Sequence, residues 1–180
     1  MGHPLDLESV SKTREFGDAP RKVYVASPLG FNEPGRHWAA TVLHPRLAGA
    51  GWEVLDPWVD ETGAIAATLA LPPGPARIDA LRAMSRTIGA GNRRLLEEAD
   101  AVLAVLDGPD VDSGTAAEIG WAAAHGRPVI GLRTDFRLAD HEAAIVNLQV
   151  EDFVVTSGGR LVTTLDDALA ALASLLLPPP

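Results

Sequence analysis

Apolar residues along this chain fall into two kinds of pattern, short unbroken runs and longer stretches of spaced positions. The short runs, at residues 22–27 (KVYVAS), 52–55 (WEVL), 101–106 (AVLAVL), 128–132 (PVIGL) and 153–156 (FVVT), predict strands. The run at 101–106 has no polar alternation, as in a strand buried on both faces. Spaced apolar positions predict helices over 36–50, interrupted or restarted at Pro45, over 76–99 and over 165–177. In 76–99, Ile78, Leu81, Ile88, Leu95 and Leu96 supply the apolar face, and Gly89 and Gly91 weaken the middle. A further helix starts at Ser113 and stops at Gly126, ahead of Pro128. Residues 59–75, rich in Gly, Pro and Ala, read as a loop with at most one short helix, a length typical of lids and binding segments. Residues 157–160 (SGGR) read as a turn.

Alternating strands and helices of these lengths predict a doubly wound α/β domain over residues 21–180. Its sheet is expected to be mostly parallel and five-stranded, with helices on both faces, of the Rossmann or flavodoxin-like kind. Residues 1–20 hold no sustained period and are expected to be an extension, mobile or packed on a neighbouring subunit.

Composition narrows the function. A net charge of −9 disfavours a nucleic-acid partner, which calls for clustered Lys and Arg, whereas uncharged nucleosides carry no such penalty. Neither a secretory h-region nor an apolar run of 18 residues is present, so a cytoplasmic chain with no membrane span is expected. Cysteine is absent, and His3, His37, His44, His125 and His141 show no ligand spacing, so no metal is expected. The glycine patterns of dinucleotide and P-loop sites are missing as well.

The chemistry concentrates between Ala99 and Gly126. A strand there runs into a loop carrying Asp107, Asp110 and Asp112, and the following helix carries Glu118 in its first turns. Open α/β sheets keep their ligands outside the carboxyl ends of the strands. The helix dipole is expected to favour the ionised form of Glu118, suited to nucleophilic attack or to binding a sugar. The plainer alternative is that Glu118 charges an exposed helix that Asp112 or Ser113 caps.

Asp100, Leu106-Asp107-Gly108 and the run Asp112-Ser113-Gly114-Thr115-Ala116-Ala117-Glu118-Ile119-Gly120 resemble the signature of the nucleoside 2-deoxyribosyltransferase family, D-x-G-x-x-x-E-x-G after a strand that ends near an acid. The resemblance implies Glu118 as nucleophile, Asp112 bonding the base and shuttling a proton, and Tyr24 fixing the carboxylate. It implies substrate binding by Asn92, by Ser27, Pro28, Gly30 and Phe31 after the first strand, and by Asp107 and Gly114. The run RTDFR at 133–137 is similar to a family element in which Arg133 and Arg137 neutralise acids or order the loop; a solvated charge cluster is the alternative. Asn147-Leu148-Gln149 resembles an element that reaches a neighbouring subunit's site.

The implied substrates are purine or pyrimidine 2′-deoxynucleosides and free nucleobases, exchanged without a cofactor by a homo-oligomer with shared active sites. Two alternatives stay open. One is an N-glycoside hydrolase of nucleosides or nucleoside monophosphates, with Ser27 and Arg36 as phosphate contacts; Gly114-Thr115-Ala116-Ala117-Glu118 fits the G-T-x-x-E helix of phosphoribohydrolases that make cytokinin bases, but Asp110-Val111-Asp112 replaces their P-G-G. The other is a noncatalytic sensor of nucleosides or nucleotides.

Overall fold

Five parallel strands form one sheet in the order β2-β1-β3-β4-β5: β1 (Arg21–Ala26), β2 (Trp52–Leu55), β3 (Ala101–Val105), β4 (Val129–Leu132) and β5 (Arg160–Val162). The computed structural model describes residues 21–59, 61–139 and 141–175. The expected extension at 1–20 and the end of the closing helix lie outside these residues.

The central strands β3 and β4 are buried at every position because both sheet faces are covered there. Val23 and Val25 of β1, with Ala101, Leu103 and Val105 of β3, pack under α2 (His44–Gly49) and α7 (Leu165–Ser174), where Leu47, Ala168, Ala171 and Leu172 close the core. Tyr24, Ala26, Val102 and Ala104 face the opposite layer, built from α4 (Pro75–Glu98), α5 (Ser113–Ala124) and α6 (Leu148–Thr156). Leu96, Ile119, Ala122, Val150 and Val154 are the buried contacts from that layer. Burying each of the Leu, Ile and Val side chains stabilises the fold by roughly 1.5–3 kcal/mol.

Chain direction across the sheet reverses between β1 and β3. The connection leaving β1 crosses one face to β2, and the one leaving β2 returns over the other face to β3. The loops after β1 and β3 therefore diverge at their carboxyl ends, which opens a crevice between them.

Two stretches differ from their expected form. Residues 153–156 are not a strand; they complete α6. Asn147 caps that helix by accepting the Gln149 amide at 2.9 Å, and Val150 and Val154, one turn apart, are both buried, so the local period is that of a helix despite the β-branched residues. The last strand instead follows the glycines. Gly158 takes φ +86, and a Cβ on Gly159 would stand 1.7 Å from the Val129 carbonyl oxygen, so only glycine lets the chain pass β4 closely enough to pair as β5.

The helix expected from 36 begins earlier, as α1 (Glu33–Trp38), with Asn32 accepting the Gly35 amide at 2.7 Å. A π-helical stretch over Ala39–Leu43 then leads into α2. Pro45 has no amide to give to Thr41, and the turns ahead of it widen. The 59–75 stretch holds one short helix, α3 (Glu61–Leu69), which packs along α4.

Candidate active site

The crevice between the β1 and β3 loops contains a cavity of about 560 Å³. Ser27, Gly30 and Phe31 reach it from the segment after β1, and Pro57 and Trp58 from the turn after β2. Asp112, Gly114, Thr115 and Glu118 come from the start of α5, Ile88 and Asn92 from α4, and Ile65, Ala66 and Leu69 from α3, with Arg36 of α1 at the same wall.

Glu118 is the chemical centre. Position 24 of β1 faces the α5 layer, so the Tyr24 ring is fully buried while its hydroxyl donates to Glu118 Oε1 at 2.6 Å. The ring serves the core and the hydroxyl serves the site. Burial pushes the Glu118 carboxyl up to about 7, and the negative charges of Asp112 and Asp56 add to the rise; hydrogen bonds from Tyr24 and Asn92 oppose it. This corrects the expectation that the helix dipole would keep Glu118 ionised. The residue sits in the second turn of α5, beyond the reach of the terminal dipole, and loss of water outweighs what remains.

Asp112 has two jobs by position. Its Oδ2 accepts the Thr115 amide at 3.0 Å as the N-cap of α5, and the residue also lines the cavity beside Glu118. Asn92 lines the cavity from α4, and its Oδ1 is buried with no partner among the described residues. Ser27 Oγ is likewise buried and unpartnered among them. An acceptor and a hydroxyl left unsatisfied at a cavity wall are groups for a ligand to bond.

The side of the cavity nearest β2 is built around one glycine. A Cβ at Gly30 would fall 1.8 Å from the Trp58 ring, so only glycine admits the indole there. Trp58 Nε1 donates to the Ser27 carbonyl at 3.0 Å, and its ring meets Phe31 edge-on at 4.6 Å between centroids. Asp56 holds the turn by accepting the Trp58 amide at 2.9 Å, with His44 Nε2 2.8 Å from its other oxygen. Arg36 Nη1 donates to the Gly30 carbonyl at 2.9 Å.

The remaining candidates lie elsewhere. Pro28 and Asp107 are outside the cavity wall. Asp107 accepts the Thr134 amide and hydroxyl, each at 2.6 Å, and the Asp135 amide at 2.9 Å, which ties the loop after β4 to the end of β3. Arg133 is not a solvated charge: it is 3% exposed and donates to the carbonyls of Leu106 and Arg137. Arg137 pairs with Asp135, holding that carboxyl well below the usual carboxylate range. Asn147 also stands away from this chain's cavity, as the cap of α6.

Sequence reasoning missed Pro57, Trp58, Ile65, Ala66, Leu69 and Ile88. The first two had a signal, because Asp56-Pro57-Trp58 closes a strand at the end of the sheet where ligands bind. The aliphatic residues of α3 had only the reading of 59–75 as a stretch typical of lids and binding segments, which singled out no residue. Among the described residues no group of three or more His, Cys, Asp or Glu is placed to hold a metal ion, and no helix is long and apolar enough to cross a membrane.

Comparison with known proteins agrees with this fold. A conserved protein from Enterococcus faecalis V583 superposes with a TM-score of 0.62 at 24% identity, covering 88% of this chain and 100% of that one. A 2-desoxiribosyltransferase from Leishmania mexicana gives 0.62 at 21% identity, covering 88% and 100%. A 2-deoxyribosyltransferase from Bacillus psychrosaccharolyticus gives 0.59 at 20% identity, covering 88% and 98%. These likenesses establish the fold. An uncharacterized protein of Schizosaccharomyces pombe is 41% identical over 51 residues, a stretch covering 26% of this chain and 24% of that protein. The family model for nucleoside 2-deoxyribosyltransferase matches residues 23–157, from β1 through α6 and including Tyr24, Asn92, Asp112 and Glu118, and the chain belongs to that family.

Proposed function

We propose that the protein transfers a 2-deoxyribosyl group between nucleobases through a glycosyl ester on Glu118. The observation that carries this reading is the partly buried carboxyl at the cavity wall, oriented by the Tyr24 hydroxyl at 2.6 Å. In its ionised form Glu118 attacks the anomeric carbon as the C–N bond to the base breaks and its electron pair passes to the base nitrogen. Asp112 supplies a proton to the departing base, and Asn92 holds the base edge through its Oδ1, which has no partner among the described residues. An incoming base then attacks the same carbon through nitrogen, gives its proton to Asp112 and frees the Glu118 carboxylate. The active unit is a homo-oligomer in which Asn147 reaches the sugar in a neighbouring copy's cavity.

Incubation with deoxyinosine and adenine tests the reading. Hypoxanthine and deoxyadenosine are expected together, and Glu118→Ala is expected to abolish both. A 2′-fluoro nucleoside should leave its sugar on Glu118, detectable by mass spectrometry. An unmodified protein that still exchanges bases would replace the covalent route with direct displacement.

One observation favours a second reading, hydrolysis of nucleoside 5′-monophosphates. Arg36 lines the cavity and Ser27 Oγ is buried there without a partner among the described residues, a cation and a donor for a phosphate. Base release from a monophosphate that does not depend on an acceptor base selects it.

A further inference from the structure

The cavity is divided by polarity. Most of its hydrogen-bonding groups, Ser27, Asn92, Asp112, Thr115 and Glu118, come from the segment after β1, the C-terminal half of α4 and the start of α5, with Arg36 added by α1. The wall built by α3 and the earlier turns of α4 is aliphatic: Ile65, Ala66, Leu69 and Ile88. Ile88 lies one helical turn before Asn92 on the same face of α4, so the aliphatic wall begins about 6 Å beyond the amide.

A plain nucleobase can rest its face, but not its edge, on the aliphatic half. Its edge carries ring nitrogens, amines and carbonyls, and burying them against Ile65, Leu69 and Ile88 would leave them without partners. Size points the same way. A deoxynucleoside of about 18 heavy atoms fills roughly 300 Å³ at interior packing density. The cavity measures about 560 Å³, so on the order of 250 Å³ remains in a cavity that Ile65, Ala66, Leu69 and Ile88 help to line. Leu69 of this wall, at 49% exposure, offers bare apolar surface for a ligand to cover.

Building on the base-exchange reading above, we propose that the preferred substrates are nucleosides whose base carries an apolar arm on its exocyclic nitrogen, an alkyl, alkenyl or benzyl group. Asn92 bonds the base edge, and the arm runs past Ile88 into the space under α3. Leu69 and Ile65 determine this preference by excluding water from the arm.

Calorimetric titration of the unmodified protein with free bases tests the inference without any turnover. N6-benzyladenine is compared with adenine, and N4-benzylcytosine with cytosine. In at least one pair the benzylated base is expected to bind at least about tenfold more tightly, from the apolar area it buries. Leu69→Asn, at a half-exposed position the fold tolerates, is expected to narrow that ratio to within about threefold. Ratios near one in both pairs, no measurable binding of either benzylated base, or a ratio unmoved by Leu69→Asn each overturn the inference. Base release from plain deoxynucleosides judges the reaction separately. Exchange without the binding preference sinks the inference alone, and the preference without exchange sinks the reaction alone.

Discussion

Glu118→Gln is expected to change how stability depends on pH, in a direction that separates burial from the helix dipole. The folded protein holds the Glu118 carboxyl near 7, against an ordinary value of 4.5. The folded chain therefore keeps a proton that the unfolded chain releases. The stability tied to that proton is complete below about pH 4.5 and is lost as the pH rises through about 7. At 1.36 kcal/mol per pH unit, the interval from 4.5 to about 7 corresponds to about 3 kcal/mol, of which about 2 kcal/mol falls between about pH 5 and about pH 8. Glutamine has no charge to desolvate and still offers Tyr24 an oxygen. Urea unfolding of both proteins across this range reads the effect, and the other titrating groups cancel in the comparison. The variant is expected to gain about 2 kcal/mol on the unmodified protein from about pH 5 to about pH 8. A difference that stays flat refutes the raised carboxyl, and one that grows toward acid shows Glu118 held as an anion.

Tyr24→Phe removes a hydrogen bond that favours the Glu118 carboxylate, so the acidic limb of the kcat/KM profile is expected to move upward by about one pH unit. A profile that falls uniformly without moving would assign Tyr24 to packing alone. Gly30→Ala places a methyl against the Trp58 ring, where it is expected to cost about 1–3 kcal/mol by overpacking and to raise KM for nucleosides as the Trp58–Ser27 hydrogen bond breaks. Unchanged thermal unfolding together with an unchanged KM would contradict the role given to that wall.

Four of the five strands were legible because a strand covered on both faces must be apolar throughout, and such runs stand out. Their ends agree with the structure to within one residue in β1, β2, β3 and β4. The fifth was misplaced because Phe153, Val154 and Val155 are β-branched or aromatic yet sit on a helix, where Val154 is buried and Val155 is exposed. Propensity lost there to the cap at Asn147 and the packing of Val150 and Val154 against the sheet. At the site, Glu118, Asp112 and Asn92 stood out through their family resemblance. The aliphatic wall did not, because Ile65, Leu69 and Ile88 form an ordinary apolar pattern, indistinguishable in sequence from a stripe meant for the core.

Local patterning by itself determined four of the five strands and most of the helices between them, that they alternate as a wound sheet requires, and that one acid lies near the head of the helix after the central strand. It could not assign a face to Tyr24, since Val23, Tyr24 and Val25 are all apolar enough to be buried on either side. Tertiary structure decided that, by sending the two connections beside β1 over opposite faces and so bringing Tyr24 within 2.6 Å of a carboxyl 94 residues away. The same packing removed water from Glu118 and raised its pKa. Desolvation depends on everything that surrounds a group, whereas periodicity reports only its neighbours along the chain.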